Sequence, residues 1–143
     1  MQATHDGDYY AWALEAAEHL RAGRLSEVDL NGVAEELEDM GKAQRHALAS
    51  HLKVLIVHLL KWRYQPNFRG VSWRLSIANA RDEIAELLED SPSLRRKIGE
   101  LVARRYPAAR NRAALETGLA EATFPDSCPF SEGDLLDAAY WPD

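Results

Sequence analysis

His51 and His58 stand seven residues apart, which on an α-helix places them about 20° apart in projection and roughly 10 Å apart along the axis. Glu36 and Met40 fall in the same angular sector. Imidazoles and carboxylates projecting from bundle helices can build metal centres, so Glu36, His51 and His58 are candidate metal ligands or acid/base groups of a metal-dependent hydrolase. A rise of roughly 10 Å is too long for one ion to bridge from a single straight helix, so such a centre would draw further ligands from another helix. Neither Glu-x-x-His nor His-x-x-x-His occurs. The competing reading, which the sequence favours, bonds each imidazole to a neighbouring carboxylate or backbone group. Glu35, Asp39 and His46 cluster within about 40° but point away from the apolar stripe, as solvated side chains do.

Three further constellations carry potential chemistry. Arg45 and His51 form an Arg-x5-His spacing that resembles the Arg-x(4–6)-His motif of HEPN ribonucleases, small α-helical bundles that act as toxins. Where that motif has a polar residue after Arg, this chain has His46. The segment HLLKWRYQP sets Lys61, Trp62 and Tyr64 at the end of an apolar helix. With Ser72 and Trp73 these residues could frame a polar pocket, or anchor the helix end by aromatic packing. Lys97, Arg104, Arg105 and Arg112 project within about 100° of one another and form a basic face able to meet phosphate. Only Tyr106 is interleaved there to stack a base, and the chain's formal net charge is −6, so nucleic acid is a minority reading. Cys128 lies between Ser127 and Pro129 with no nearby histidine, and neither a GxSxG elbow nor a Gly-rich phosphate loop occurs. Cys128 therefore reads as inert.

The elements that must position these residues are helical. Apolar spacing follows the helix period in nearly every segment, without sustained alternation. A first helix is expected from Asp8, as cap, to Gly23. A second begins with Asp29 as cap and ends before Pro66, with Gly41 as the place where it would bend or break. Leu30, Val33, Leu37, Leu48, Leu52, Leu55, Leu59 and Trp62 fall on one stripe, its expected core face. A third helix uses Trp73, Ile77, Ala80, Ile84 and Leu87. Ser91 then reads as the cap of a fourth, with Pro92 at its first position, a bend at Pro107 and an end at Gly118. The Pro-containing tail, residues 120–143, holds a short helix that Ser131 and Asp134 could cap together. The expected fold is all-α: an up-and-down four-helix-bundle-like single domain over residues 1–143, with a short C-terminal helix, residues 1–7 flexible and the tail packed on the bundle.

Of the 143 residues 46% are hydrophobic and 28% charged, which places the chain among ordinary globular domains with a core that needs no staple. Its single cysteine rules out an internal disulfide and any cysteine-based zinc site, and suits a reducing cytoplasm. The longest apolar run, Val54 to Leu60, is far short of the roughly 20 residues that cross a bilayer, so no membrane partner is expected. Charge is segregated. Residues 1–50 carry ten acids against four bases, residues 92–119 two against seven, and residues 120–143 six against none. An acidic segment lying on a basic one gives this pattern, as does a basic binding face.

Several segments together resemble a bacterial family, domain of unknown function 29. They are DYYAW from Asp8, AEELEDMGK from Ala34, HLLKWRYQP from His58, SWRLSI from Ser72, SPSL from Ser91, ETGL from Glu116 and FPDSCPF from Phe124. The resemblance implies a single-domain, all-helical bacterial protein and supplies no activity. Its polar signature falls on Glu35, Glu36, Glu38, Asp39, His58, Lys61, Trp62, Ser72 and Trp73, whereas Lys42 and Gln44 replace an Arg and a Glu of the pattern.

With no complete catalytic signature and with charge-segregated helices, the sequence points first to a non-enzymatic interaction or regulatory module in the cytoplasm, binding a protein partner or itself. No cofactor is required by this reading. A divalent metal belongs to the alternative, a metal-dependent hydrolase or HEPN-like ribonuclease, and nucleic-acid binding through the basic fourth helix is the third reading.

Overall fold

The structure, a computed structural model, describes residues 3–143. It is an all-α bundle, and no strand occurs among the described residues. The α-helices are α1 (Tyr9–Arg21), α2 (Leu30–Tyr64), α3 (Val71–Asp90), α4 (Ile98–Thr117) and the short α5 (Glu132–Leu136), joined by turns and 3-10 segments. No helix among the described residues is long and apolar enough to cross a membrane. The chain divides into two compact units, Met1–Ala43 and Gln44–Asp143, with the division falling inside α2.

In the first unit, Asp8 caps α1 by accepting from the Ala11 amide at 3.1 Å, and Asp29 caps α2 by accepting from Gly32 at 3.0 Å. Each satisfies an amide that the first helical turn leaves unpaired. The helices approach closely where Gly32 is buried: a Cβ there would meet Trp12 Cζ2 at 3.0 Å and the Asp29 carboxylate at 2.5 Å. Trp12, Ala16 and Val28 supply the buried apolar surface of this unit. Of the segment expected to be flexible, Met1 and Gln2 lie outside the described residues, and 4–7 form a turn in which Asp8 donates to Thr4 O. Two expectations for α2 are corrected. Leu30 and Leu37, assigned to the core stripe, are 58% and 65% exposed. Gly41 does not break the helix, which runs unbroken from Leu30 to Tyr64; one glycine costs only about 1 kcal/mol against the hydrogen bonds on both sides of it.

The second unit holds the large core. Leu48, Leu52, Leu55, Ile56, Leu59 and Leu60 of α2 are completely buried, because apolar residues at nearly every position can be covered on several sides. Ile77, Ala80, Ile84 and Leu88 of α3 and Ile98, Leu101, Val102, Tyr106, Ala109 and Ala113 of α4 pack with them. Ser91 is not a side-chain cap for the fourth helix. It accepts only through its backbone carbonyl, from Leu94 at 3.0 Å, and a 3-10 segment (Pro92–Lys97) precedes α4. Pro92 cannot donate and favours this tighter turn. α4 continues through Pro107 and ends at Gly118, whose φ of 75° is the left-handed conformation glycine adopts without penalty.

Pro125, Pro129 and Pro142 keep the tail irregular, so its buried carbonyls need donors from elsewhere. Three side chains supply them. Arg81 donates from Nε to Leu135 O at 3.1 Å and from Nη2 to Asp134 O at 2.9 Å. Arg110 reaches Phe124 O at 3.0 Å, and the Tyr106 hydroxyl donates to Pro125 O. Burial pushes the Tyr106 phenol up to about 12, so it remains a donor throughout the neutral range. Phe124, Phe130 and Leu135 then enter the core, and Ser131 and Asp134 cap α5 reciprocally at 3.0 Å each. Arg81 is only 6% exposed. Replacing it by Met keeps much of the stem but strands two carbonyls, so Arg81→Met is expected to cost roughly 2–4 kcal/mol in chemical denaturation. A loss below about 0.5 kcal/mol would show that water serves those carbonyls equally well.

Candidate functional site

Unit 1 places Glu36 at the centre of a polar cluster. His5 Nε2 donates to Glu36 Oε1 at 2.7 Å, and the Tyr9 hydroxyl donates to Glu36 Oε2. The His5 ring stands edge-on to Trp12, centroids 4.7 Å apart, and to Tyr9 at 5.4 Å. Hydrogen bonding to Glu36 raises the His5 imidazole above its ordinary range, and the donors on Glu36, Tyr9 first, hold its carboxyl below the usual range. The cluster fastens the segment before α1 to the first half of α2. His5 has no helical spacing to Glu36, 31 residues away, and that is why sequence reasoning missed it.

Beside this clamp, α2 presents an unpartnered apolar row. Leu30, Val33, Leu37 and Met40 follow a 3-4-3 spacing, which places them on one helix face. Val33 is half-buried, whereas Leu30, Leu37 and Met40 are 58%, 65% and 64% exposed. Glu35, Glu38 and Asp39, all exposed, carry negative charge around the row. Tyr10 and Leu14 of α1 are exposed as well.

Unit 2 distributes the other candidates among separate settings. His51 Nε2 lies 3.9 Å from Glu83 Oε2, beyond hydrogen-bond range, and His58 Nδ1 donates to Val54 O at 2.8 Å within its own helix. No group of three or more His, Cys, Asp or Glu that could hold a metal occurs among the described residues. Lys61 is buried, donates to Glu116 Oε1 at 3.0 Å and lies 4.9 Å from the centre of the Trp73 ring. Trp73 and Glu116 also line a small cavity of about 120 Å³. Trp62 instead meets Trp141 at a tilt, ring centroids 4.7 Å apart, Tyr64 meets Phe124 edge-on, and Ser72 is exposed. Of the five residues proposed for a polar pocket, Lys61 and Trp73 meet, while Trp62 belongs to the core cluster and Tyr64 packs against it. On the basic helix, Arg104 pairs with Glu100 and Arg112 with Glu116 one turn away, while Arg110 pairs with Asp126 of the acidic tail at 3.3 Å. Lys97 is exposed. Arg45 and Arg105 line one cavity with His46 and Arg104, a cavity that His51 does not line. Cys128 is half-buried, and burial pushes its thiol up, which suits an inert residue. Arg81 was missed too, although one signal was present: an arginine in step with Ile77, Ala80 and Ile84 on the buried face of α3.

A family model described as domain of unknown function DUF29 matches residues 4–141, and so spans both units. No curated protein and no solved structure matches the chain.

The His5–Glu36 pair ties the first unit to pH. Because the folded state raises His5, its contribution is complete below about pH 6.5 and fades as pH rises through the folded value. Because it lowers Glu36, that contribution is present above about pH 4.5 and is lost as pH falls through the folded value. The clamp is therefore tightest between those limits. In an NMR titration of the His5 ring, Glu36→Gln is expected to return the midpoint toward the ordinary imidazole value; an unchanged midpoint would contradict the pairing.

Proposed function

The chain belongs to the DUF29 family, whose description names no activity, and from that premise we propose that it is a non-enzymatic interaction module of the bacterial cytoplasm. Its partner is a helix with an apolar stripe flanked by Lys and Arg, docked on Leu30, Val33, Leu37 and Met40. The observation that carries this reading is the exposure of that row on an unbroken helix. Four large side chains in step on a rigid helix are the pattern that helix-on-helix docking uses, and three left more than half exposed forfeit burial that a partner would restore.

Charge favours a different protein over a second copy. Residues 1–43 hold ten Asp and Glu against three Lys and Arg, so two such units would repel, whereas a basic-flanked helix gains complementary charge at its rim. The lone, half-buried Cys128 accords with a reducing compartment.

A photo-crosslinking residue at Leu37, introduced in the native host, is expected to yield one dominant adduct whose joined segment is an apolar helix flanked by Lys or Arg. Leu30→Asp should weaken that adduct roughly tenfold or more, as removal of a central apolar anchor does. An adduct that survives Leu30→Asp, or one joining only two copies of this chain, would overturn the proposal.

A further inference from the structure

Arg45, His46 and Ala49 of α2 and Leu101, Arg104 and Arg105 of α4 line a cavity of about 240 Å³ in the second unit. Three guanidinium groups and an imidazole share one space, and no carboxylate lines it. Arg104 has one acidic neighbour, Glu100 at 3.2 Å on its own helix. For Arg45, His46 and Arg105 no ion pair within 4.0 Å occurs among the described residues. Elsewhere on α4, Arg110 pairs with Glu121 and Asp126, and Arg112 with Glu116. Its apolar lining residues, Ala49 and Leu101, are both buried. Arg105 is half-buried while Arg45, His46 and Arg104 are exposed at the rim. Like charges crowded around a concavity repel one another unless an anion sits among them.

We infer that this cavity is an anion site for the phosphoryl group of a small phosphorylated molecule. Guanidinium forks from two helices that line one cavity suit the oxygens of a phosphoryl group, which arginine binds through paired N–H donors. No Phe, Tyr or Trp lines the cavity to stack a base. A nucleic acid would also meet the field of a chain with formal net charge −6, whereas a compact ligand samples mainly the local charge within about a Debye length. Arg45 thus serves as an anion ligand, apart from any pairing with His51. The inference stands independently of the docking row, which lies in the other unit.

The test is calorimetric titration of the full chain with pyrophosphate in low salt, alongside a 12-nucleotide single-stranded RNA. Saturable one-to-one pyrophosphate binding is expected, weakened roughly tenfold or more by Arg45→Gln and by Arg105→Gln, since each removes charged hydrogen bonds to the ligand. Lys97→Gln and Arg112→Gln, basic positions outside the cavity, should stay within about twofold. Without ligand, the thermal midpoint of Arg45→Gln should equal or exceed that of the parent, because a repulsive charge has been removed. Failure of pyrophosphate to saturate, or binding that both cavity variants retain, would overturn the site. RNA binding tighter than pyrophosphate would overturn the choice of a small ligand.

Discussion

A core built from about 100 residues can cover roughly 30 Å of helix, the length of about 20 residues. α2 has 35 residues, about 52 Å at the standard rise. Its stretch from Gln44 to Tyr64 already uses what the larger unit can bury, and Leu48 to Leu60 supplies six side chains with no exposure at all. The first half must find its cover in the smaller unit, whose buried apolar residues are few: Trp12, Ala16 and Val28. One helix therefore carries two regimes. Its second half is locked by packing, and its first is held by a cap at Asp29, a close approach at Gly32 and the polar clamp on Glu36. The exposed row of Leu30, Leu37 and Met40 follows directly from this shortage of cover.

The same contrast explains where polar side chains became structural. In the larger unit, the irregular tail brings buried carbonyls against the helices, and Arg81, Arg110 and Tyr106 are committed to them. Lys61 is likewise committed to Glu116. Arg45, His46 and Arg105, which line one cavity with Arg104, have no ion pair within 4.0 Å among the described residues. Uncommitted polar groups, rather than polar groups in general, are the ones available for function.

Much of the fold was legible because it rests on local chemistry. Asp8, Asp29, Gly118 and the Ser131–Asp134 pair each act within one helical turn, and the core face from Leu48 to Trp62 follows from the helix period alone. Periodicity failed at Leu30 and Leu37 for a physical reason: it identifies an apolar face but says nothing about whether a neighbour covers it. Ser91 has the composition of a cap, yet the segment it opens is a 3-10 turn, whose geometry leaves its hydroxyl without a capping bond. His5 and Arg81 were illegible for a further reason. Their partners are 31 and more than 50 residues away, and two of those partners are backbone carbonyls, which leave no trace in side-chain patterns. Among the candidate sites, the basic helix was legible as a face, but the cavity that joins Arg104 and Arg105 to Arg45 required the packing of α4 against α2.

Amide hydrogen exchange along α2 tests the two-regime account most directly. Amides of Leu48 to Leu60 are expected to exchange only through global unfolding, and those of Glu35 to Ala43 orders of magnitude faster through local opening, although both belong to one helix. Uniform protection from Glu35 to Leu60 would contradict it, because the first half would then be as firmly covered as the second and no row would be left for a partner.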